Sequence, residues 1–137
     1  MKNISLLGLF GCLLLLSTPH ALAEQPSMLK QFTGAWEGMG TQSDDGSHWR
    51  IRVNSRSYGY FIDYPSLVCG GEWKLLKTTD SSLIFKETLT YGMERCIDRG
   101  EIVINKVAAD KMSYFWSSSN SKIIAVGDLA RKLSASR

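Results

Sequence analysis

The sequence predicts an all-β fold: a single eight-stranded antiparallel up-and-down barrel closed with one disulfide. Three observations carry this. Apolar and polar residues alternate with period two through most of the chain beyond residue 31, the pattern of strands with one buried face. Eight such stretches follow one another, separated by short breaks rich in Ser, Asn, Asp, Thr and Gly, which is the spacing of a sandwich or barrel. No segment sustains helical spacing for three turns. Full closure removes exposed edges, and the interior is then filled by side chains or holds one small ligand. An open or sandwich arrangement is the alternative that periodicity does not decide against.

The N-terminus reads as a secretory signal over residues 1–23. Lys2 precedes an apolar run from Ile4 to Leu16, Ser17-Thr18-Pro19 breaks it, and Ala21-Leu22-Ala23 offers a small-x-small cleavage site. The run falls short of the ~20 apolar residues of a membrane span, so no stable membrane insertion is expected after cleavage. Leu9-Phe10-Gly11-Cys12 offers a competing lipoprotein site, disfavoured by the bulk of Phe10. A polar leader (24–31), a barrel domain (32–133) and a short tail (134–137) follow. The expected location is periplasmic or secreted.

Within the domain, Trp36 to Thr41 reads as the first strand. Ser47 to Asn54 places Trp49, Ile51 and Val53 on one face and His48, Arg50, Arg52 and Asn54 on the other. Tyr58 to Tyr64 ends at Pro65. Val68 to Leu76 shows Cys69, Gly71, Trp73 and Leu75 together, and Ser82 to Leu89 aligns Leu83, Phe85, Glu87 and Leu89. An irregular segment, Thr90 to Arg99, leads to strands at Glu101 to Val107, Lys111 to Ser117 and Lys122 to Arg131. Ser43-Asp44-Asp45-Gly46 is a hairpin turn, too short for a calcium loop.

Removal of Lys2 with the signal leaves 15 basic against 13 acidic groups, interspersed and without the dense basic face a nucleic-acid partner requires. The remaining cysteines, Cys69 and Cys96, form a disulfide in an oxidising compartment. Neither has a neighbouring His or a Cys-x-x-Cys spacing that would make a reactive thiol.

Phe32-Thr33-Gly34-Ala35-Trp36 resembles the F-x-G-x-W first strand of the calycins, the lipocalin and avidin superfamily. Ala125-Val126-Gly127-Asp128-Leu129-Ala130-Arg131 resembles a calycin last strand. The resemblance implies a barrel in which the Trp closes one end and the terminal basic residue caps it. The middle of the chain, Tyr64-Pro65-Ser66-Leu67-Val68-Cys69-Gly70-Gly71-Glu72-Trp73, departs from both families, and avidin's biotin contacts do not transfer. It looks like a recurring signature of small secreted bacterial domains.

Histidine filters the chemistry. After cleavage His48 alone remains, on an outward face, where it serves neither a nucleophilic triad nor a zinc site. No cofactor motif and no metal set is present. Glu87 is the outstanding residue, because alternation places its carboxylate inside. There it must be paired or take up a proton more readily. An arginine such as Arg95 or Arg99, or a tyrosine hydroxyl, would satisfy it; a second acid, Asp63 or Glu101, would make a hydrolase-like pair. The Thr90 to Arg99 loop offers Tyr91, Arg95, Asp98 and Arg99, tethered by Cys96. Tyr60 and Tyr64 flank Asp63 and would form an exposed aromatic patch.

These features favour a non-enzymatic binding protein that uses its cavity or tethered loop. The expected partner is a small apolar or amphipathic ligand, or a protein. The alternatives are an inhibitor or immunity-type partner of an exported protein, and a small carboxylate hydrolase. Bacterial inhibitors of c-type lysozyme are similar in size, export and disulfide-bearing barrel; Ser117 to Lys122 echoes their Ser-Gly loop without its glycines.

Overall fold

The structure is a computed structural model that describes residues 24–134. The segment 1–23 expected to be a signal peptide, with the Cys12 site, and the last three residues of the tail lie outside them. A short helix, α1 (Met28–Phe32), precedes eight strands: β1 (Gly34–Gln42), β2 (His48–Arg56), β3 (Gly59–Tyr64), β4 (Cys69–Thr78), β5 (Ser82–Tyr91), β6 (Glu101–Ala108), β7 (Lys111–Ser117) and β8 (Ile124–Arg131). Each strand pairs antiparallel with the next, and β8 returns to β1 with Trp36 opposite Arg131 and Thr41 opposite Val126. The pairing of β8 with β1 closes the barrel, as expected, and the alternative that alternation left open does not form.

Burial follows the alternation. Trp49, Ile51 and Val53 of β2 point inward, as do Leu83, Phe85, Glu87 and Leu89 of β5 and Met112, Tyr114 and Trp116 of β7. Bulges interrupt β4 at Gly70/Gly71 and Leu75/Lys77. The second lets the strand run on to Thr78 and turns Leu76 to solvent. β8 begins at Ile124 rather than Lys122, because Ser118 and Asn120 hold the preceding turn. Outside, Ile84, Val103, Phe115 and Val126 stand in register across β5 to β8, an apolar row in otherwise polar outward positions.

The two ends differ. At one, α1 seals the barrel. Ser27 caps it by accepting the Lys30 amide, and Met28 and Phe32 enter the core, so the core begins inside the segment expected to be a polar leader. Phe32 stacks on Trp36, 5.6 Å between centroids, and meets Phe85. The Trp36 indole donates to the Phe32 carbonyl at 2.8 Å. Arg131 lies over the Trp36 ring at 4.4 Å and donates to the carbonyls of Thr33 and Gln31. One guanidinium thus ties the last strand to the plug, a cation–π contact reinforced by two charge-assisted hydrogen bonds. This is the Trp and basic cap that the calycin resemblance implies.

The other end carries the loops β1–β2, β3–β4, β5–β6 and β7–β8. No helix covers it among the described residues. The Cys69–Cys96 disulfide, Cα to Cα 6.4 Å, pins the β5–β6 loop to the start of β4.

Candidate functional site

At this open end the barrel holds a cavity of about 200 Å³. Trp49 of β2, Tyr64 of β3, Glu87 of β5, and Tyr114 and Trp116 of β7 line it, with Leu67, Arg95, Cys96 and Ile97 at the mouth beside Gln42 and Ser47. Below it the interior is filled by Trp73, Phe85, Ile62, Ile104 and their neighbours.

Glu87 is 1 % exposed. It is not paired with an arginine. Its Oε2 accepts the Tyr64 hydroxyl at 2.6 Å and the Trp73 indole N–H at 2.8 Å, and its Oε1 accepts the Trp116 indole N–H at 3.2 Å. The Tyr64 and Tyr114 hydroxyls are 3.0 Å apart. With the Tyr64 proton committed to Glu87, Tyr114 donates to Tyr64. Three elements thereby converge neutral donors on one carboxylate, a network satisfied without a cation.

Burial pushes the Glu87 carboxyl above its ordinary value, with Asp98 adding to the effect, while the Tyr64, Trp73 and Trp116 hydrogen bonds pull it back. Tyr64 and Tyr114 are pushed well above the phenol range, first by burial and then by the negative charges they face. Both hydroxyls therefore stay protonated as donors.

Gly100 positions one donor. A Cβ there would lie 2.1 Å from the Trp116 Nε1, and the Gly100 carbonyl accepts the Glu87 amide at 2.9 Å. Its missing side chain lets the indole lie against the backbone beside the carboxylate. Gly92, at φ +67, packs as closely on the disulfide: a Cβ there would lie 2.7 Å from the Cys69 Cα.

The other sequence candidates separate. Tyr91 turns outward, 43 % exposed, and donates to Asp63 on the barrel exterior; desolvation and that carboxylate push its phenol up to about 12. Tyr64 is buried, so no exposed Tyr60–Tyr64 patch exists. Asp98 does internal work, accepting the Leu89 and Arg99 amides at 2.8 and 2.7 Å. Arg99 is exposed, with a left-handed backbone. Arg95 reaches the mouth, its Nε 3.7 Å from Glu94. Asp63 and Glu101 do not join Glu87: its neighbours in the lining include no other carboxylate. His48 stays on the outer face beside Thr41.

Sequence reasoning missed Trp73 and Trp116 as partners of Glu87, and Tyr114 as the donor to Tyr64. Alternation placed all three inward, but the strand register that brings them to the carboxylate is not written in the alternation. Among the described residues, no group of three or more His, Cys, Asp or Glu gathers to hold a metal.

No protein-family model matches the chain, and no curated protein matches it. Among solved structures it is similar to a redesigned β-barrel, mFAP1, bound to DFHBI. The identity is 18 %, the TM-score 0.57, and the match covers 75 % of this chain and 97 % of that one. The likeness is one of fold.

Proposed function

We propose that the protein is a non-enzymatic binding protein, exported to an oxidising compartment, that takes a small ligand into the open end of its barrel. The observation that carries this reading is the cavity itself. One half of the barrel is packed solid and the other is left open around a buried carboxylate held by three neutral donors. A barrel evolved for stability alone would fill that space with apolar side chains, since buried polar networks of this kind seldom add net stability.

The backbone supports the same end. Among the described residues, the non-glycine positions with positive φ, Val68, Arg99 and Ser121, all lie on open-end loops, and for a β-branched residue such as Val68 that conformation is strained. Strain of this sort collects at binding sites. The β-barrel bound to DFHBI is a precedent for a small molecule in this fold. Without a second acid beside Glu87, a carboxylate-pair hydrolase has no support in the lining.

Native mass spectrometry of the protein purified from the cells that make it tests this reading. A co-purifying small molecule is expected. Retention of a second polypeptide with an empty cavity would favour a different reading, for which the rim gives one reason: Val68, Tyr91, Met93 and Ile97 are exposed around the disulfide. That is the surface an inhibitor or immunity-type protein would present, and a lysozyme inhibition assay addresses it.

A further inference from the structure

We infer that the cavity accepts a compact organic cation, an alkyl- or arylammonium group, with its nitrogen placed at Oε1 of Glu87. This rests on the ligand-binding reading above and adds the chemical class.

The two carboxylate oxygens are not equally occupied. Oε2 receives two donors, at 2.6 and 2.8 Å, while Oε1 receives one, at 3.2 Å. An ionised carboxylate has about four acceptor sites, so Oε1 retains the freer one. Glu87 itself lines the cavity, beside Trp116, the partner of Oε1, and Tyr64, one partner of Oε2. Every group that hydrogen-bonds Glu87 is a neutral donor, so no cation cancels the charge that the carboxylate carries when ionised. The one cation in the lining, Arg95, has its side chain 60 % exposed and turned to Glu94.

Around the carboxylate, Trp49, Tyr64, Tyr114 and Trp116 supply aromatic surface. Ring faces carry the negative end of a quadrupole and attract a desolvated cation. A carboxylate among such rings favours an ammonium group over a neutral isostere, and opposes an anion. The volume, about 200 Å³, equals roughly seven waters at about 30 Å³ each, which limits the ligand to a small body.

The test uses the full-length folded protein at pH 7 with benzylammonium, benzyl alcohol and benzoate, three probes of one shape and different charge, titrated calorimetrically. Benzylammonium is expected to bind about tenfold or more tightly than benzyl alcohol, the size of a desolvated charge-assisted contact, with benzoate weakest. Glu87→Gln should bring benzylammonium down to the level of the alcohol. Arg95→Ala, on an exposed side chain that leaves the fold intact, should tighten benzylammonium by about two- to fivefold by removing a like charge from the mouth. If Glu87→Gln does not fold, the Arg95 variant and the three-probe ranking decide. Equal or tighter binding of the alcohol or benzoate would overturn the cation inference while leaving a ligand cavity. No binding by any of the three would overturn both.

Discussion

Glu87 sits where an unpaired charge costs most, and its surroundings define what single substitutions do. The Tyr64 hydroxyl donates to it at 2.6 Å with both residues buried. Tyr64→Phe removes a hydrogen bond to a charged group and leaves Tyr114 without its acceptor, so urea denaturation should show a loss of about 1.5–3 kcal/mol. An unchanged midpoint would mean the network is not formed. The pH dependence has a definite sign. Because the folded value of Glu87 is raised above its ordinary 4.5, the native state holds the proton more tightly than the unfolded chain. Its contribution is favourable at low pH and is lost as pH rises from about 4.5 through the raised value, at no more than about 1.4 kcal/mol per pH unit. Glu37 and Asp45 are shifted the opposite way, chiefly by Lys132 and Ser47, so they stabilise above their ordinary values and cancel between variants. The stability of wild type minus that of Glu87→Gln should therefore fall with rising pH across this window; a flat difference would show that Glu87 keeps its ordinary value. Of this residue, period two revealed the inward direction. It could not reveal the partners, because Tyr64, Trp73 and Trp116 come from three other strands and only register brings them to the carboxylate.

The open-end elements are held by two local devices, each with its own consequence. Gly100 admits the Trp116 indole. Gly100→Ala would force that ring away from Glu87, and an overpacked site costs about 1–3 kcal/mol; the indole N–H resonance of Trp116 should shift in the same variant. An Ala variant with native stability and an unmoved resonance would contradict the packing. The disulfide closes a separation of 27 residues. Replacing both cysteines with alanine should cost about 3.5 kcal/mol in the chain-entropy model and speed hydrogen exchange in the 92–100 loop, while β1, β2 and β8 keep their protection. Uniformly faster exchange would mean that the staple supports the whole barrel. The loop and its tether were legible in the sequence from two cysteines and a break in alternation. The helix was not: five residues make little more than one turn, too short for any periodicity. Only Met28 and Phe32 in the core show that this segment plugs the barrel.

At the scale of the molecule, the barrel is a cylinder with unlike ends, one sealed by α1, Trp36 and Arg131 and the other open over Glu87. Eight alternating stretches anticipated a barrel or a sandwich without deciding between them, and the Phe32 to Trp36 motif with Arg131 anticipated the sealed end. The cavity was not legible, since its volume depends on how four aromatic rings lean across the barrel rather than on which way they face. The polarity of the ends is the central claim, and the four tryptophans report on it. Trp36 lies at the sealed end, Trp73 beneath Glu87, and Trp49 and Trp116 in the cavity lining. The most direct measurement is a proton–nitrogen correlation spectrum of the four indole N–H groups during titration with benzylammonium. The Trp49 and Trp116 signals should move together and saturate, with Trp36 stationary. Movement of Trp36, with Trp49 and Trp116 unmoved, would place the binding end on the wrong side of the barrel.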